Sequence, residues 1–225
     1  MAYAAGLLCC ANAAGGGEFH KRSDFGLFGG TSYYLGDINP RKQFYAPGIS
    51  VGALLKHNFN EHHCLRASAY YGSFKGNDLD FKNAFQQDRQ QNFSTSLIDL
   101  HIGYEFNFLP FTFNREHPTA HTPYIFFGLG YAVILKSTVN DINSGHMTIP
   151  FGAGYKYQIN PAIGVGCEWG MRKTFTDKID GVVNPGTYAV GHNNDWCSFI
   201  GIFITFRIFE ESFACPAYTQ PIRYK

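Results

Sequence analysis

The residues of this sequence that could act as acids or bases lie in segments where polar and apolar residues alternate. Asp99, His101 and Glu105 alternate with apolar residues, which places the three side chains on one face of an extended strand. Four more charged residues hold similar alternating positions further along the chain: Lys156, Glu168, Arg172 and Arg207. Across a closed sheet, these groups could form an acid/base site, as in barrel enzymes that modify lipids, or a salt-bridged plug. We favour the plug, because the interior of a small barrel has room for little more than side chains.

Other catalytic and metal-binding signals are weak. Glu61-His62-His63 could suggest a metal site, but a solvated turn explains this stretch better. Of the six cysteines, Cys9 and Cys10 lie in the leader-like N-terminus, and the remaining four lack the spacing of a zinc site: Cys64, Cys167, Cys197 and Cys215. Their disulfide state stays open at this stage. We therefore predict a protein that is not an enzyme and that uses no cofactor, metal ion or small-molecule substrate.

The composition favours strands over helices. Charged residues make up only 16% of the chain, against the quarter that is typical of soluble domains, while aromatic residues reach 17%. The 22 Phe, 14 Tyr and 25 Gly suit a pleated sheet, because glycine is costly inside a helix. The net charge of +1 and the absence of a basic block argue against nucleic-acid binding.

Eight segments of the chain alternate apolar and polar or small residues, and they are longer than ordinary soluble strands. The clearest sets Ile98, Leu100 and Ile102 against Asp99 and His101. The small and polar faces suit the interior of a narrow barrel, whereas the apolar faces suit lipid. Aromatic residues near the segment ends resemble the girdles of membrane barrels: Tyr33, Tyr71, Tyr104, Phe106, Tyr155, Tyr157 and Trp169. The sequence therefore predicts an all-β fold, an eight-stranded antiparallel transmembrane β-barrel with periplasmic termini.

The connections between the segments agree with this topology. Long outer loops are predicted at Gly36–Ala46, Gly76–Asn92, Ser137–Gly145 and Thr176–Asn194. Inner turns are predicted at Asn58–His62, at Leu109–Thr122 and around Asn160-Pro161. The turn Leu109–Thr122 is unusually long for the periplasmic side of a bacterial barrel, where turns are normally short. That exception indicates extra structure on the inner side.

The two ends of the chain flank the predicted barrel. Residues 1–13 look like part of a signal peptide, with small apolar residues and an Ala11-Asn12-Ala13 cleavage pattern. The barrel is assigned to residues 14–209, and residues 210–225 form a tail on the periplasmic side. The segment Phe199–Phe209 resembles the C-terminal strand signal that outer-membrane insertion machinery recognises.

One stretch carries a family resemblance. Gly29-Gly-Thr-Ser-Tyr-Tyr-Leu-Gly-Asp37 resembles the opening strand of a PorG-like family of Bacteroidetes outer-membrane β-barrels in the type IX secretion system. Pro123–Gly130 and Pro150–Tyr155 add to the likeness, which extends loosely from Phe19 to Phe209. The resemblance implies a non-catalytic barrel that anchors or positions a periplasmic ring, formed by a lipoprotein and its partner.

Partner contacts are expected on the enlarged inner side, together with contacts to membrane lipids. The candidates lie in the long turn and in the tail: Arg115, Glu116, His117, Phe213, Tyr218, Arg223 and Tyr224. Tyrosine and arginine are frequent at interface hot spots, although an unstructured tail is an equal alternative. The rival hypothesis is a stand-alone small barrel that acts in surface binding or envelope stability, or less favourably as a lipid-modifying enzyme.

Overall fold

The computed structural model describes residues 21–35, 44–77, 92–111, 121–137, 145–175 and 196–211. These residues form eight strands: β1 (Lys21–Leu35), β2 (Gly48–Asn58), β3 (His63–Asn77), β4 (Asn92–Asn107), β5 (His121–Ser137), β6 (Gly145–Gln158), β7 (Ile163–Thr174) and β8 (Trp196–Glu211). Each strand pairs antiparallel with the next, and β8 pairs with β1 to close the barrel. This confirms the predicted closed eight-stranded fold. Strand β8 continues to Glu211, two residues past the predicted end of the barrel.

The barrel has two distinct ends. We call the end where β1 begins and β8 finishes the terminal end; it also holds the connections 59–62, 108–120 and 159–162. The opposite end, which we call the loop end, holds the connections 36–47, 78–91, 138–144 and 175–195. This arrangement follows from an even number of antiparallel strands. That the terminal end faces the periplasm stays a prediction.

The two faces of each strand differ as the alternation predicts. On β4, Ile102 is 64% exposed on the outside of the barrel, whereas His101 is 3% exposed and Glu105 is fully buried. The outward face carries many exposed apolar side chains, including Leu27, Ile49, Leu100, Phe127, Leu129, Met147 and Ile202. An outward surface of this kind is typical of a barrel that contacts lipid. None of the described residues belongs to a helix with the length and apolar character needed to cross a membrane.

The predicted aromatic girdle needs one correction. Tyr71, Tyr155, Tyr157 and Trp169 are exposed on the outward face, but Tyr33 is fully buried. The ring of Phe44 covers it at a centroid distance of 5.0 Å, and Trp169 Nε1 donates a hydrogen bond to its hydroxyl at 3.3 Å. Phe44 belongs to the connection between β1 and β2, so a contact outside the strands removes Tyr33 from the outer surface.

Large rings fill the interior where glycine leaves room. A Cβ atom added to Gly154 would lie 2.5 Å from the Tyr124 ring, and one added to Gly72 would lie 2.7 Å from the Phe199 ring. Non-bonded contacts of a Cβ atom are essentially never that short, so alanine at either position would displace the ring. The inward glycines of the alternating pattern therefore make space for buried aromatic side chains, which in turn surround the charged groups.

Candidate functional site: a charged interior closed at the terminal end

The first cluster of the interior centres on Glu105 of β4. Lys56 Nζ on β2 lies 2.9 Å from Glu105 Oε2, and Lys156 Nζ on β6 lies 2.5 Å from Oε1. Arg66 on β3 approaches the same carboxylate, with its NH1 atom 3.6 Å from Oε2. These side chains are at most 5% exposed. One carboxylate is therefore shared by three cations, a close arrangement that offsets the cost of removing the charges from water.

A second carboxylate, Glu168 of β7, lies on the other side of Arg66. Arg66 donates from NH1 to Oε2 at 2.8 Å and from NH2 to Oε1 at 3.1 Å, the two-pronged geometry that guanidinium and carboxylate groups favour. The hydroxyls of Tyr70 and Tyr124 donate to the same carboxylate at 3.0 and 2.7 Å. Glu168 thus has four donors, and Arg66 links it to Glu105.

The third cluster lies nearer the loop end, around Asp99 of β4. Arg172 Nε donates to Oδ2 at 3.2 Å, and the Thr148 hydroxyl donates to Oδ1 at 2.9 Å. His101 Nδ1 also lies 3.2 Å from Oδ2. The imidazole of His101 stacks parallel to Tyr70, with the two centroids 5.6 Å apart. Tyr70 therefore connects this cluster to Glu168.

Aromatic rings pack against the cations of all three clusters. Four buried cations, Lys56, Arg66, Lys156 and Arg172, face three carboxylates, so the cations exceed the anions by one formal charge. Each cation also lies over a ring: Lys56 over Phe203 at 4.5 Å, Arg66 over Phe126 at 4.2 Å, Lys156 over Phe111 at 4.4 Å and Arg172 over Phe199 at 4.2 Å. The negative ring faces supply part of the missing counter-charge.

The described start of the connection between β4 and β5, residues 108–111, covers the interior at the terminal end. Phe111 is the last residue of this connection that the structure describes before β5, and its side chain is buried. Its carbonyl accepts a hydrogen bond from Arg22, whose guanidinium also lies 5.0 Å from the Phe111 ring. The Phe111 amide donates to the Glu61 carbonyl at 3.2 Å, and Asn107 Nδ2 donates to the same carbonyl at 3.1 Å. The stem of the turn is thus fixed to the β2–β3 turn and covers the barrel mouth.

The geometry favours an ion-paired plug over an acid/base site. The carboxylates of Asp99, Glu105 and Glu168 are all engaged by buried donors from other strands. The void beside Asp99, which Thr148 and Arg172 also line, is too small to admit a water molecule. Within the described part of the chain, these charged groups therefore contact one another, and the void beside Asp99 has no room for a substrate.

The structure brings together six of the seven interior residues singled out from the sequence: Asp99, His101, Glu105, Lys156, Glu168 and Arg172. The seventh, Arg207, is half-buried near the terminal end and lies opposite Asp24 in the β1–β8 register. Sequence reasoning missed Lys56, Arg66, Tyr70 and Tyr124 as members of the clusters. Their inward position in the alternating pattern was a usable signal for the two cations, since a buried carboxylate needs a cation.

The other sequence candidates fall into two groups. The proposed partner contacts in the long turn and the tail (Arg115, Glu116, His117, Phe213, Tyr218, Arg223 and Tyr224) lie outside the described residues. Around Glu61-His62-His63, His62 Nδ1 instead lies 2.8 Å from the Asn107 carbonyl, and His63 pairs with the Tyr104 hydroxyl. The described residues include no cluster able to hold a metal ion. Cys64 and Cys167 are free thiols, Cys197 is buried, and Cys215 lies outside the described region.

Comparison with known proteins supports the fold. The model of a family described as "Domain of unknown function (DUF6089)" matches residues 17–217. Neisserial surface protein A is 11% identical, with a TM-score of 0.54 over 85% of this chain and 100% of that one. OprG, an outer membrane protein from Pseudomonas aeruginosa, is 12% identical, with a TM-score of 0.48 over 84% and 98%. Ail from Yersinia pestis is 10% identical, with a TM-score of 0.45 over 84% and 99%. No curated protein matches the chain.

Proposed function

The chain belongs to the DUF6089 family, and from that premise we propose that it is a non-catalytic barrel of the bacterial outer membrane that anchors other proteins. In the finer form of this proposal, the barrel is a component of the type IX secretion machinery. It positions a periplasmic ring, formed by a lipoprotein and its partner, at the membrane. The finer form is motivated by the resemblance of Gly29–Asp37 to barrels of that system.

The observation that carries the proposal is the plugged interior. Glu105, Glu168 and Asp99 hold four cations across the barrel, and aromatic rings fill the space between them. Such a lumen has no open channel for a solute, as expected for eight strands. A barrel that neither conducts nor catalyses acts through the surfaces that it presents at its two ends.

The membrane location follows from the outward face. Exposed apolar residues cover the outside at mid-height, for example Leu100, Leu129 and Ile202. The exposed tyrosines Tyr155 and Tyr157 lie near the terminal end of β6. The charged residues of the three clusters face inward, where they are paired. This is the reverse of a water-soluble barrel and matches the lipid-facing band of outer-membrane barrels.

The terminal end is the better candidate for holding partners. Its turns expose apolar side chains: Phe59, Phe108, Leu109 and Ile159. The long turn starts from a fixed stem at Phe111 rather than from a free loop, so the residues that follow begin at a defined place. Arg115, Glu116 and His117 follow this stem closely, and the tail after Glu211 leaves β8 at the same end.

Co-purification from native membranes tests the proposal. The full chain, with an affinity tag inserted in a connection at the loop end, is released in mild detergent and its bound periplasmic proteins are identified. We expect a ring lipoprotein and its partner to co-purify. We expect the variant Arg115→Ala/Glu116→Ala/His117→Ala, or a chain ending at Glu211, to lower their yield about tenfold, the effect of losing about 1.4 kcal/mol of binding free energy.

The matched control is Lys173→Ala, a charge removal at the loop end that leaves the terminal end unchanged. All variants must first insert as folded barrels, which heat-dependent migration in gels reports. A barrel that is recovered without any periplasmic partner contradicts the anchoring role and favours a stand-alone barrel acting at the surface.

A further inference from the structure

An apolar groove runs over the outside of the barrel on strands β2 to β5. Its volume is about 1050 Å³. Three alanines form its floor: Ala53, Ala67 and Ala69. Larger side chains stand around them, among them Leu55, Leu100, Ile102, Phe127 and Leu129. The groove exists because β2 and β3 place alanines side by side, and the larger side chains around these alanines extend further from the barrel surface.

The register fixes the place of this floor. Ala53 pairs with Ala69, Ala67 pairs with Leu55 on one side and Ile102 on the other, and Ala69 pairs with Leu100. Ala53, Ala69 and Leu100 lie near the middle of their strands, and Ala67 lies four residues inside the start of β3. A depression at this depth lies in the hydrocarbon layer of the membrane in which the barrel is proposed to sit.

A cationic and hydroxyl-rich patch lies on the same strands at the loop end. Lys75 of β3 pairs with Ser94 of β4, and Lys136 of β5 pairs with Ser96 of β4. Both lysines are exposed, and a bulge in the β4–β5 register beside Ser96 accompanies the outward turn of Lys136. Neighbouring strands lie about 4.8 Å apart and the partners Ser94 and Ser96 are two residues apart, so the backbones of the two lysines lie about 12 Å from each other on either side of β4. Neither lysine forms an ion pair with another described residue.

The patch and the groove belong to one strip of surface. Ser96 precedes Leu100 by four residues on β4, which places the hydroxyl about 13 Å from the groove along the strand. The other end of the strip differs, since it carries His57, His63 and Tyr104 and no outward lysine among the described residues. The strip therefore combines positive charge at one depth with an apolar depression below it.

We infer that this strip binds a membrane lipid whose phosphorylated headgroup carries net negative charge and which has several acyl chains, in the leaflet at the loop end. The ammonium groups of Lys75 and Lys136 and the serine hydroxyls donate to the phosphate. The acyl chains lie over Ile98 and Val133 and fill the groove above the alanines. Charge complementarity selects this occupant, because a purely apolar chain supplies no anion, and a zwitterionic lipid supplies a phosphate whose charge its own cation already balances. The inference rests on the membrane-spanning part of the proposed function and not on the periplasmic partner.

Native mass spectrometry of the detergent-purified full chain tests the headgroup contact. Diphosphoryl lipid A is titrated as the probe, with phosphatidylcholine as the zwitterionic comparison. We expect one lipid A molecule to bind preferentially to the barrel. We expect Lys75→Gln/Lys136→Gln to weaken that binding about 30-fold, which at 1.4 kcal/mol per factor of ten corresponds to about 2 kcal/mol for two lysines near an anionic lipid. Lys173→Gln, at the loop end but on β7, should leave the affinity unchanged.

A second variant tests the groove. Ala67→Leu/Ala69→Leu fills the floor and should reduce lipid A binding about tenfold, while Ala153→Leu on the outward face of β6 should have no effect. Equal affinity for lipid A and phosphatidylcholine overturns the inference, as does an equal loss in Lys173→Gln. Full displacement of the lipid by millimolar inorganic phosphate also overturns it, because the site would then recognise the anion alone.

Insertion into phosphatidylcholine vesicles is measured beforehand. This measurement distinguishes a failure of the proposed function from a failure of the lipid site alone. A chain that does not insert contradicts the membrane-spanning part of the proposed function. An inserted barrel whose lysine and alanine variants bind lipid A like the wild type overturns only the lipid site.

Discussion

The interior and the outer surface of this barrel are formed by alternate residues of the same strands, yet their side chains make different kinds of contact. On β4, Asp99 and Glu105 each contact several named partners on other strands, whereas Leu100 and Ile102 project outward with half or more of their surface exposed. The interior thus depends on particular pairs of atoms. The outer surface depends only on being apolar, which is why it can carry a groove and the interior cannot.

The largest effect is expected where the interior loses a shared carboxylate. Glu105→Ala leaves Lys56 and Lys156 buried without their anion and takes one counter-charge from Arg66. We expect the free energy of unfolding to fall by about 3–5 kcal/mol, as when one member of a buried ion pair is removed. Urea titration of the barrel folded into vesicles measures it.

Glu61→Ala, in the β2–β3 turn, is the matched control, since its side chain belongs to none of the three clusters. A loss below about 1 kcal/mol for Glu105→Ala would show that the interior tolerates unpaired charge, and the contrast between the two faces would disappear.

A smaller loss is expected where the outer surface loses its apolar character. Leu129, which is exposed at mid-height on β5, contacts lipid in the proposed orientation. We expect Leu129→Arg to cost about 2–4 kcal/mol, the range for arginine at the centre of a bilayer. Leu135→Arg, near the loop end of the same strand, should cost at most about 1 kcal/mol, because the cost falls towards the interface. Equal costs at the two depths in the same vesicle titration would contradict a lipid-facing surface.

The smallest loss of stability is expected when the interior loses a single hydrogen bond. Thr148→Val keeps the shape of the side chain but removes the donor to Asp99 Oδ1. We expect a loss of about 1.5 kcal/mol, the lower value for a hydrogen bond to a charged group. Thr31→Val, on the outward face of β1, should change stability by less than about 0.5 kcal/mol. If the two substitutions cost the same, Asp99 does not need Thr148.

The strands and the direction of their faces were predictable from the sequence, because the period of two depends only on neighbouring residues. Asp99 and Ile102 could be assigned to opposite faces without any knowledge of the rest of the chain. The buried state of Tyr33 could not, since it depends on the ring of Phe44 in a connection whose course no local pattern specifies.

The interior partners were beyond sequence reasoning for a similar reason. Arg66 lies on β3 and Glu168 on β7, with three strands between them in sequence, and they meet only because the barrel closes. Which inward residues share a level depends on the register of every intervening strand pair. A list of inward charged residues therefore identified most members of the clusters but not their pairs. The role of Phe111 in closing the terminal end likewise required the structure, although the unusual length of its turn was visible in the sequence.

Site-specific photo-crosslinking in intact cells tests most directly whether the barrel holds proteins at its terminal end. A photoreactive phenylalanine analogue replaces Phe108 at the terminal end or Leu135 towards the loop end, both of which are exposed. We expect the probe at Phe108 to crosslink a periplasmic protein and the probe at Leu135 to crosslink none. Crosslinks to periplasmic protein from neither position, or protein crosslinks from Leu135 alone, would contradict the anchoring role.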